Sequence, residues 1–493
     1  MGEDKNTSSA SFYKSMLKSV GLFGIAIVVQ RVASFLLLPF NTRYLSTADY
    51  GMLDLIEQIS TPLSILLGMS FASALGYFYN QKSTEIWRET VTGTILTGTA
   101  LIGVVAACVG WFLVPLISQG ILGNQELTPY LLAAVVSFPV GGAFEAMMSW
   151  LRIRDNASFY VMVSILRLIL VLTCTVVGLS VFGLRVWAVL GSNLLGFVLC
   201  TALLVFYYFR KAPLRVDRNL IGPMFRYSFP MGISYMAMFV LLFGDRLILP
   251  HYVSLGELGI YSVSCKVGML LSFVHSSFGS YYNAQVFQIV KRDDARQIFS
   301  RLFVYVAAAT CFAALGLIAT AGLAIRWFTA PAYHGAAALV PVVVLAFVFR
   351  IFGDYFRNLF FATDHTRQEA IANWTASFVC LGAYMALIPR YGTAGAAWAT
   401  LLAFLFSAVL LAVWSHRYWT FQLETSRLIR LGVIFSLLVV LSFVSWDADW
   451  KVATWAVFLL ILYPSLLWAS GFFTEGEIQR ALALKQNLLA RYS

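Results

Sequence analysis

Charge is scarce in this sequence of 493 residues. Only 12% of the residues are charged, whereas 60% are hydrophobic, and a soluble domain carries about 25% charged residues. We therefore exclude a water-soluble fold. The length instead suits an all-α bundle of about fourteen membrane-spanning helices, with about 20 apolar residues in each and short loops between them.

The sequence also lacks the patterns that indicate catalysis or metal binding. Its six cysteines lie inside apolar stretches, and none is paired at the spacing of metal ligands. It contains no phosphate-binding glycine loop, dinucleotide fingerprint, zinc-protease motif or nucleophile elbow. We therefore expect no disulfide framework, no metal and no cofactor, and we expect that the protein is not an enzyme.

Basic residues are distributed unevenly between alternate loops. If the N-terminus is cytoplasmic, most of the 34 Lys and Arg residues lie in cytoplasmic loops. The outer loops hold only Arg43, Arg185, Arg326, Arg390 and Lys451. This positive-inside pattern predicts an even number of spans, with both termini in the cytoplasm. It also accounts for the net charge of +11, so we expect no nucleic-acid partner.

Parts of the sequence resemble each other at a nearly constant spacing. Tyr44-Leu-Ser-Thr-Ala-Asp-Tyr-Gly51 resembles Tyr252-Val-Ser-Leu-Gly-Glu-Leu-Gly259, with Tyr, Ser, the acid and Gly aligned 208 residues apart (44 to 252). Four further pairs align 209 residues apart (145 to 354): Glu145 with Asp354, Asp155 with Asp364, Phe182-Gly183 with Tyr391-Gly392, and Ala188 with Ala397. The pattern predicts a parallel repeat of spans 1–6 as spans 7–12, around a central cavity.

The repeat predicts how the chain is divided. In chain order we expect a cytoplasmic tail at 1–12, an N-lobe of spans 1–6 at 13–210, a basic cytoplasmic linker at 211–221, a C-lobe of spans 7–12 at 222–418, two extra spans 13–14 at 419–473, and a cytoplasmic tail at 474–493.

Ionisable residues within the predicted spans form two groups. Such residues usually face a cavity or a partner, because facing lipid costs several kcal/mol. Those predicted near the outer leaflet are Arg31, Asp54, Glu57, Asp245, Arg246 and Lys266. Those predicted toward the cytoplasm are Glu145, Arg167, Arg350, Asp354 and Arg357.

Two interpretations of these charges remain open. In the first, they line a central lumen, where bases meet the phosphate oxygens of an anionic substrate. The substrate-binding candidates are Arg31, Arg246, Lys266 and Arg350, and the candidates for ion coupling or lumen lining are Asp54, Glu57, Glu145, Asp245 and Asp354. In the second, they are buried salt bridges that fix helix packing, such as Arg31 with Asp54 or Glu57, or Arg350 with Asp354. The outer group contains three bases and three acids, so its composition does not predict an electropositive cavity.

Three segments carry a resemblance to a known family. They are Arg31-x7-Pro39-x4-Tyr44 continuing to Gly51, Asp245-Arg246-Leu-Ile-Leu followed by Leu258 to Lys266, and Tyr391-Gly392-Thr-Ala-Gly395-Ala-Ala397. With the 6 + 6 + 2 arrangement of spans, the chain resembles the polysaccharide flippase branch of the multidrug, oligosaccharidyl-lipid and polysaccharide exporter superfamily.

The resemblance implies a flippase of the bacterial inner membrane. Such proteins move an undecaprenyl-pyrophosphate-linked oligosaccharide between leaflets by alternating access of two lobes, for the synthesis of surface or secreted polysaccharide. Its expected partners are the lipid-linked oligosaccharide, the bilayer, and the polymerase and glycosyltransferases of the pathway. Arg31, Arg246 and Lys266 best match the bases that the family is held to place in its lumen.

Three alternatives are weighed against this function. A multidrug or cation antiporter of the same superfamily would use an acidic lumen, which Asp54, Glu57 and Asp245 would supply. A peptidoglycan lipid-precursor flippase would apply the same mechanism to another cargo. A membrane-embedded glycosyltransferase or polymerase would need a catalytic loop with acids near a metal, and the sequence shows none.

Overall fold

The computed structural model describes six continuous stretches of the chain, together with single positions between 275 and 290 and at 446, 476 and 477. The stretches are 35–65, 70–121, 124–273, 292–363, 365–444 and 448–474. Their regular structure is helical throughout, and no strand occurs within these limits.

The helices follow one another with short connections. The α-helices of the first half are α1 (Leu38–Tyr44), α2 (Thr47–Ser64), α3 (Ser70–Tyr79), α4 (Glu85–Leu116), α5 (Thr128–Val136), α6 (Phe138–Ile153), α7 (Ala157–Ser180), α8 (Val186–Lys211) and α9 (Arg218–Phe243). Those of the second half are α10 (Asp245–Ile248), α11 (Leu255–Met269), α12 (Ala295–Phe328), α13 (Val340–Ala362), α14 (Thr366–Tyr418), α15 (Thr425–Ser442) and α16 (Asp449–Ala469). A 3₁₀ segment, Pro331–Ala338, precedes α13.

Eight of the described helical segments are long and apolar enough to cross a bilayer by themselves. Two more pass the same test as bent pairs, one at the end of α9 with a bend of 69° and one before α13 with a bend of 52°. The multi-span, all-α fold is therefore confirmed. The prediction of fourteen spans is compatible with this result, since residues 1–34, 66–69 and most of 274–291, which overlap predicted spans, lie outside the described part.

Helix α14 contains two spans joined at a glycine. Its 53 residues would extend about 80 Å at 1.5 Å per residue, far more than the ~30 Å hydrocarbon core. Gly392 interrupts it with φ 55° and ψ −130°. Only glycine adopts such angles readily, so this residue marks the turn between predicted spans 11 and 12.

The described residues form two compact units. The first contains residues up to 263, 328–333 and 373–400, and the second contains 264–327, 334–372 and 401 onward. In the first, α3, α4, α6 and α8 enclose a core in which Leu75, Ile95 and Met147 are fully buried. In the second, Tyr355 stacks on Tyr282 with ring centroids 4.7 Å apart, and Phe299 lies 4.8 Å from Tyr355.

The sequence repeat has structural counterparts at the ends of its helices. Ser46 and Asp49 form a capping box at the start of α2, with reciprocal hydrogen bonds of 3.1 Å. Ser254 and Glu257 make the same two bonds at the start of α11, at 3.0 and 3.2 Å. A capping box satisfies helix donors that lack partners, so the aligned Ser and acid positions are explained by the same local requirement in both copies.

Candidate functional site

Five side chains from three helices form a buried polar cluster in the first unit. This outer cluster, named for its predicted side of the membrane, consists of Asp54 on α2, Asp245 and Arg246 on α10, and Tyr261 and Ser262 on α11. The Arg246 Nε lies 2.8 Å from the Asp54 carboxylate, and one of its terminal nitrogens lies 3.3 Å from that of Asp245. Ser262 donates a 2.7 Å hydrogen bond to Asp54, and Tyr261 donates one to Asp245.

The outer cluster excludes solvent almost completely. The side chains of Arg246, Asp54 and Asp245 are only 3%, 7% and 2% exposed. Charges removed from water this fully are tolerated when they are paired and hydrogen-bonded, and removing one partner typically costs about 3–5 kcal/mol. In this conformation the pair of Arg246 and Asp54 therefore holds helices together, as the salt-bridge interpretation described. The partner that the structure shows for Asp54 is Arg246, whereas Arg31 was considered from the sequence.

A cavity of about 560 Å³ lies in the same unit, between α2, α3, α6 and α9. Most of its wall is apolar, as in ligand sites generally. The polar groups that face it are Thr61, Glu145, Ser149, Arg152 and Tyr235.

Helix α6 supplies the charged part of this cavity wall. Glu145, Ser149 and Arg152 stand at i, i+4 and i+7, so they share one helix face. Arg152 donates a 2.7 Å hydrogen bond to the Ser149 hydroxyl. Within the described residues, Glu145 has no ion pair closer than 4 Å, although Arg152 and Arg167 are near enough to influence it electrostatically. Glu145 and Arg152 thus face a mostly apolar space, and each can form further hydrogen bonds.

Arg167, which is near enough to Glu145 to influence it electrostatically, has aromatic partners. Its guanidinium lies 4.0 Å from the Phe197 ring centroid and 5.2 Å from that of Phe144. A guanidinium over aromatic faces is attracted by their quadrupoles, by about 0.5–2 kcal/mol according to how far it is desolvated. Phe144 and Phe197 therefore stabilise the Arg167 guanidinium.

A third charged group, the inner network, lies in the second unit. Asp354 is 2.7 Å from Arg357, 3.9 Å from Arg350 and 3.8 Å from His275. Arg357 also pairs with Glu369 on α14, at 3.2 Å. Side-chain exposures of 14–22% for Asp354 and its three partners leave them partly accessible, unlike the outer cluster.

The remaining predicted site residues are placed as follows. Arg31 lies outside the described residues. Lys266 is half-buried on α11, and Glu57 is exposed on α2, three residues after the buried Asp54. The structure thus brings Asp54, Asp245 and Arg246 into one cluster, Arg350 and Asp354 into another, and Glu145 into the cavity.

Sequence reasoning missed Arg152, which was counted only as a basic residue of a cytoplasmic loop. Its position seven residues after Glu145 was a usable signal, because that spacing places both on one face of a helix. Glu369 was also missed. It follows the loop after α13 in sequence, and no spacing rule links it to Arg357.

Comparisons with known proteins agree with this architecture. The family described as "Polysaccharide biosynthesis protein" matches residues 16–282. The fold is similar to a structure titled "Lipid II flippase MurJ, inward closed conformation", with a TM-score of 0.72, 16% identity, and coverage of 91% of this chain and 99% of that one. No curated protein sequence matches the chain significantly.

Multidrug transporters share the fold as well. An inward-facing "multidrug resistance MATE family transporter of the MOP superfamily" has a TM-score of 0.62 at 13% identity, covering 81% of this chain and 97% of that one. A MOP superfamily transporter from Pyrococcus furiosus, whose title refers to reverse polarity of its binding pocket, has a TM-score of 0.55 at 14% identity, covering 82% and 95%. At such identities the likeness shows the fold alone.

Proposed function

This chain belongs to the polysaccharide biosynthesis protein family, and we propose that it is a flippase for an undecaprenyl-pyrophosphate-linked oligosaccharide. The observation that carries the proposal is the cavity between α2, α3, α6 and α9, where an arginine, a carboxylate and hydroxyl groups face an apolar space. A diphosphate and several sugars cannot cross ~30 Å of hydrocarbon unaided. A cavity within the membrane that carries hydrogen-bonding and charged groups lowers that barrier.

Each polar group of the cavity has a role that suits this cargo. Arg152 donates charge-assisted hydrogen bonds to diphosphate oxygens, for which guanidinium geometry is well suited. Glu145 accepts hydrogen bonds from sugar hydroxyls, and Thr61 and Ser149 both donate and accept them. Tyr235 offers an aromatic face beside its hydroxyl. The prenyl chain stays in the bilayer, where its apolar surface is already out of water.

The wider setting of this function is proposed with it. The N-lobe (13–210) and C-lobe (222–418) open alternately to the two sides, while spans 13–14 (419–473) flank them. The protein resides in the bacterial inner membrane with both termini cytoplasmic, beside the glycosyltransferases and polymerase of its pathway. Under that topology the cavity lies in the cytoplasmic half, because Arg152 ends a span at the cytoplasmic face.

The test is surface polysaccharide in cells whose own flippase gene is deleted. Arg152→Ala should remove display of the polysaccharide while the protein remains in the membrane, and Arg152→Lys should retain part of it. Arg210→Ala is the matched control, since Arg210 is exposed at the end of α8 and lies 4.6 Å from the Phe206 ring centroid rather than in the cavity. Normal display by Arg152→Ala would refute the substrate-binding role.

A second candidate function is favoured by one observation. Glu145 faces the largely apolar cavity, and a carboxylate among apolar and aromatic groups also suits an organic cation. Such an antiporter would export cationic dyes, and Glu145→Gln would abolish export. Dye export by the unmodified protein, with no effect of the gene on surface polysaccharide, would favour the antiporter over the flippase.

A further inference from the structure

Two exposed tyrosines stack on each other between helices α3 and α9 of the first unit. The ring centroids of Tyr77 and Tyr227 are 4.5 Å apart, and the ring planes are only 13° from parallel. Tyr77 is nevertheless 51% exposed and Tyr227 38% exposed, so this stack is not part of the buried core. We call Tyr77 and Tyr227 the tyrosine pair.

Phe78 packs against the tyrosine pair without covering its outward ring faces. The Phe78 ring centroid lies 5.2 Å from that of Tyr77 and 6.0 Å from that of Tyr227, with interplanar angles of 85° and 83°. Because Phe78 is at a similar distance from both rings, it lies beside the stack rather than on top of it. The face of an aromatic ring carries the negative part of its quadrupole, and the pair leaves such faces open.

The tyrosine pair borders the cavity between α2, α3, α6 and α9. Gly76, the residue before Tyr77, lines that cavity, and among the described residues nothing lies within 4 Å of the position that a Cβ atom on Gly76 would occupy. On α9, Tyr227 precedes the cavity residue Met238 by eleven residues (227 to 238). Eleven residues make about three helical turns, so both side chains lie on one face of α9.

The tyrosine pair lies toward the same end of the cavity as Arg152. Arg152 and Ile153, at the end of α6, line the cavity together with Gly76, which is near the end of α3. Under the predicted topology the spans that contain α3 and α6 both run toward the cytoplasm, so these helix ends lie on one side of the membrane. A cargo whose diphosphate binds Arg152 therefore has its first sugars within reach of the pair.

We propose that the tyrosine pair is a sugar-binding subsite of the cavity, which stacks against a pyranose ring of the cargo. A pyranose carries C–H groups on its ring faces. Their slightly positive hydrogens are attracted to the negative face of an aromatic ring, and the contact removes apolar surface from water. The subsite rests on the proposed function, since it takes its ligand from the cargo that Arg152 binds. It adds a requirement on that cargo: a hexose with contiguous C–H groups on one face, close to the diphosphate.

Native mass spectrometry of the purified protein with two ligands tests this subsite. The ligands are undecaprenyl diphosphate and the lipid-linked oligosaccharide extracted from cells that lack their own flippase, and the unmodified protein should bind the second more tightly. Tyr77→Leu and Tyr227→Leu keep an apolar side chain but remove the aromatic face. They should weaken binding of the oligosaccharide about three- to tenfold and leave binding of undecaprenyl diphosphate unchanged. Tyr77→Phe and Tyr227→Phe keep the ring and should bind both ligands like the unmodified protein.

Phe229→Leu is the matched control. Phe225 and Phe229 form another stacked pair on α9, with ring centroids 5.6 Å apart, and both are similarly exposed. They stand two residues before and two residues after Tyr227, which places them on the opposite side of the helix. Phe229→Leu should therefore bind both ligands normally.

Three outcomes would contradict the subsite. Undiminished binding of the oligosaccharide by both leucine variants would overturn it and identify the tyrosine pair as lipid-facing aromatic residues of the membrane interface. An equal loss of both ligands would also overturn it, because the rings would then not act on the sugar. If the unmodified protein bound the oligosaccharide no better than phosphatidylglycerol, the proposed cargo would be overturned and the subsite with it.

Discussion

The outer cluster and the cavity both place charges inside the membrane, but they surround them differently. In the outer cluster Arg246 has two carboxylate partners, and the three charged side chains are at most 7% exposed. In the cavity, Glu145 faces open space beside Arg152. A paired, buried charge has little capacity left to bind a ligand, whereas an accessible charge can bind one. The difference shows that the outer cluster holds helices together, and it supports the proposal that the cavity is the place where the cargo binds.

The largest loss of stability is expected when Arg246, the base shared by both carboxylates of the outer cluster, is removed. Arg246→Met should leave Asp54 and Asp245 buried without their partner and lower the free energy of unfolding by about 3–5 kcal/mol. Thermal unfolding in detergent should show this as a large loss of stability or as a failure to accumulate.

The matched control is Arg292→Ala. Arg292 is 61% exposed and pairs with Asp294, and surface pairs contribute about 0–1 kcal/mol. Equal stability of the Arg246 and Arg292 variants would contradict the structural role of the outer cluster.

A smaller loss of stability is expected when the helix caps at equivalent positions of the two copies of the repeat are removed, and it should differ between the copies. Asp49 not only caps α2 but also accepts three hydrogen bonds from Arg185, two at Oδ2 (2.7 and 3.1 Å) and one at Oδ1 (2.9 Å). The equivalent Glu257 is exposed and caps α11. Losing a cap costs about 1 kcal/mol, and the largely buried Asp49 loses an arginine partner as well.

Asp49→Ala should therefore destabilise the protein by about 2 kcal/mol and Glu257→Ala by about 1 kcal/mol or less. Chemical denaturation of the two variants side by side measures the difference. If Glu257→Ala were the more damaging change, the arginine contact would not explain the asymmetry.

The smallest expected effect on stability comes from Glu477, a carboxylate outside the spans. Partial burial raises the pKa of Glu477, but hydrogen bonds from the Thr474 backbone and the Tyr305 hydroxyl, together with the Arg427 charge, outweigh it and lower this pKa from 4.5 to about 2. Because the folded pKa is depressed, the contact stabilises the protein fully above pH 4.5 and is lost as the pH falls toward 2.

Unfolding midpoints measured between pH 6 and pH 3 should therefore fall less steeply in Glu477→Gln than in the unmodified protein. Identical slopes would show that the contact of Glu477 with Arg427 of α15 does not stabilise the protein.

The fold was more predictable than the partners of its charges. Apolar segments and basic loops follow from the membrane itself, and the turn at Gly392 was marked by its alignment with Gly183, which also has a positive φ. The pairing of Asp54 with Arg246 was not predictable, because spacing rules apply within one helix and these residues lie on different ones.

The residues of the cavity show the same limit of sequence-based prediction, which works within one helix and not between helices. Glu145 and Arg152 share a helix face that the sequence displays, so their proximity was predictable. Thr61 and Tyr235 face the same space because of how α2 and α9 pack, and no local sequence pattern encodes that packing. The prediction that the outer bases bind the substrate remains a prediction, and the structure favours Arg152 for that role.

The most direct test of the account is the affinity of the purified protein for a lipid-linked oligosaccharide, measured by native mass spectrometry. A charge-assisted hydrogen bond contributes about 1.5–3 kcal/mol, so Arg152→Ala should weaken binding at least tenfold while leaving the unfolding midpoint unchanged. Arg210→Ala should bind normally. Undiminished binding by Arg152→Ala would contradict the claim that the cavity holds the diphosphate.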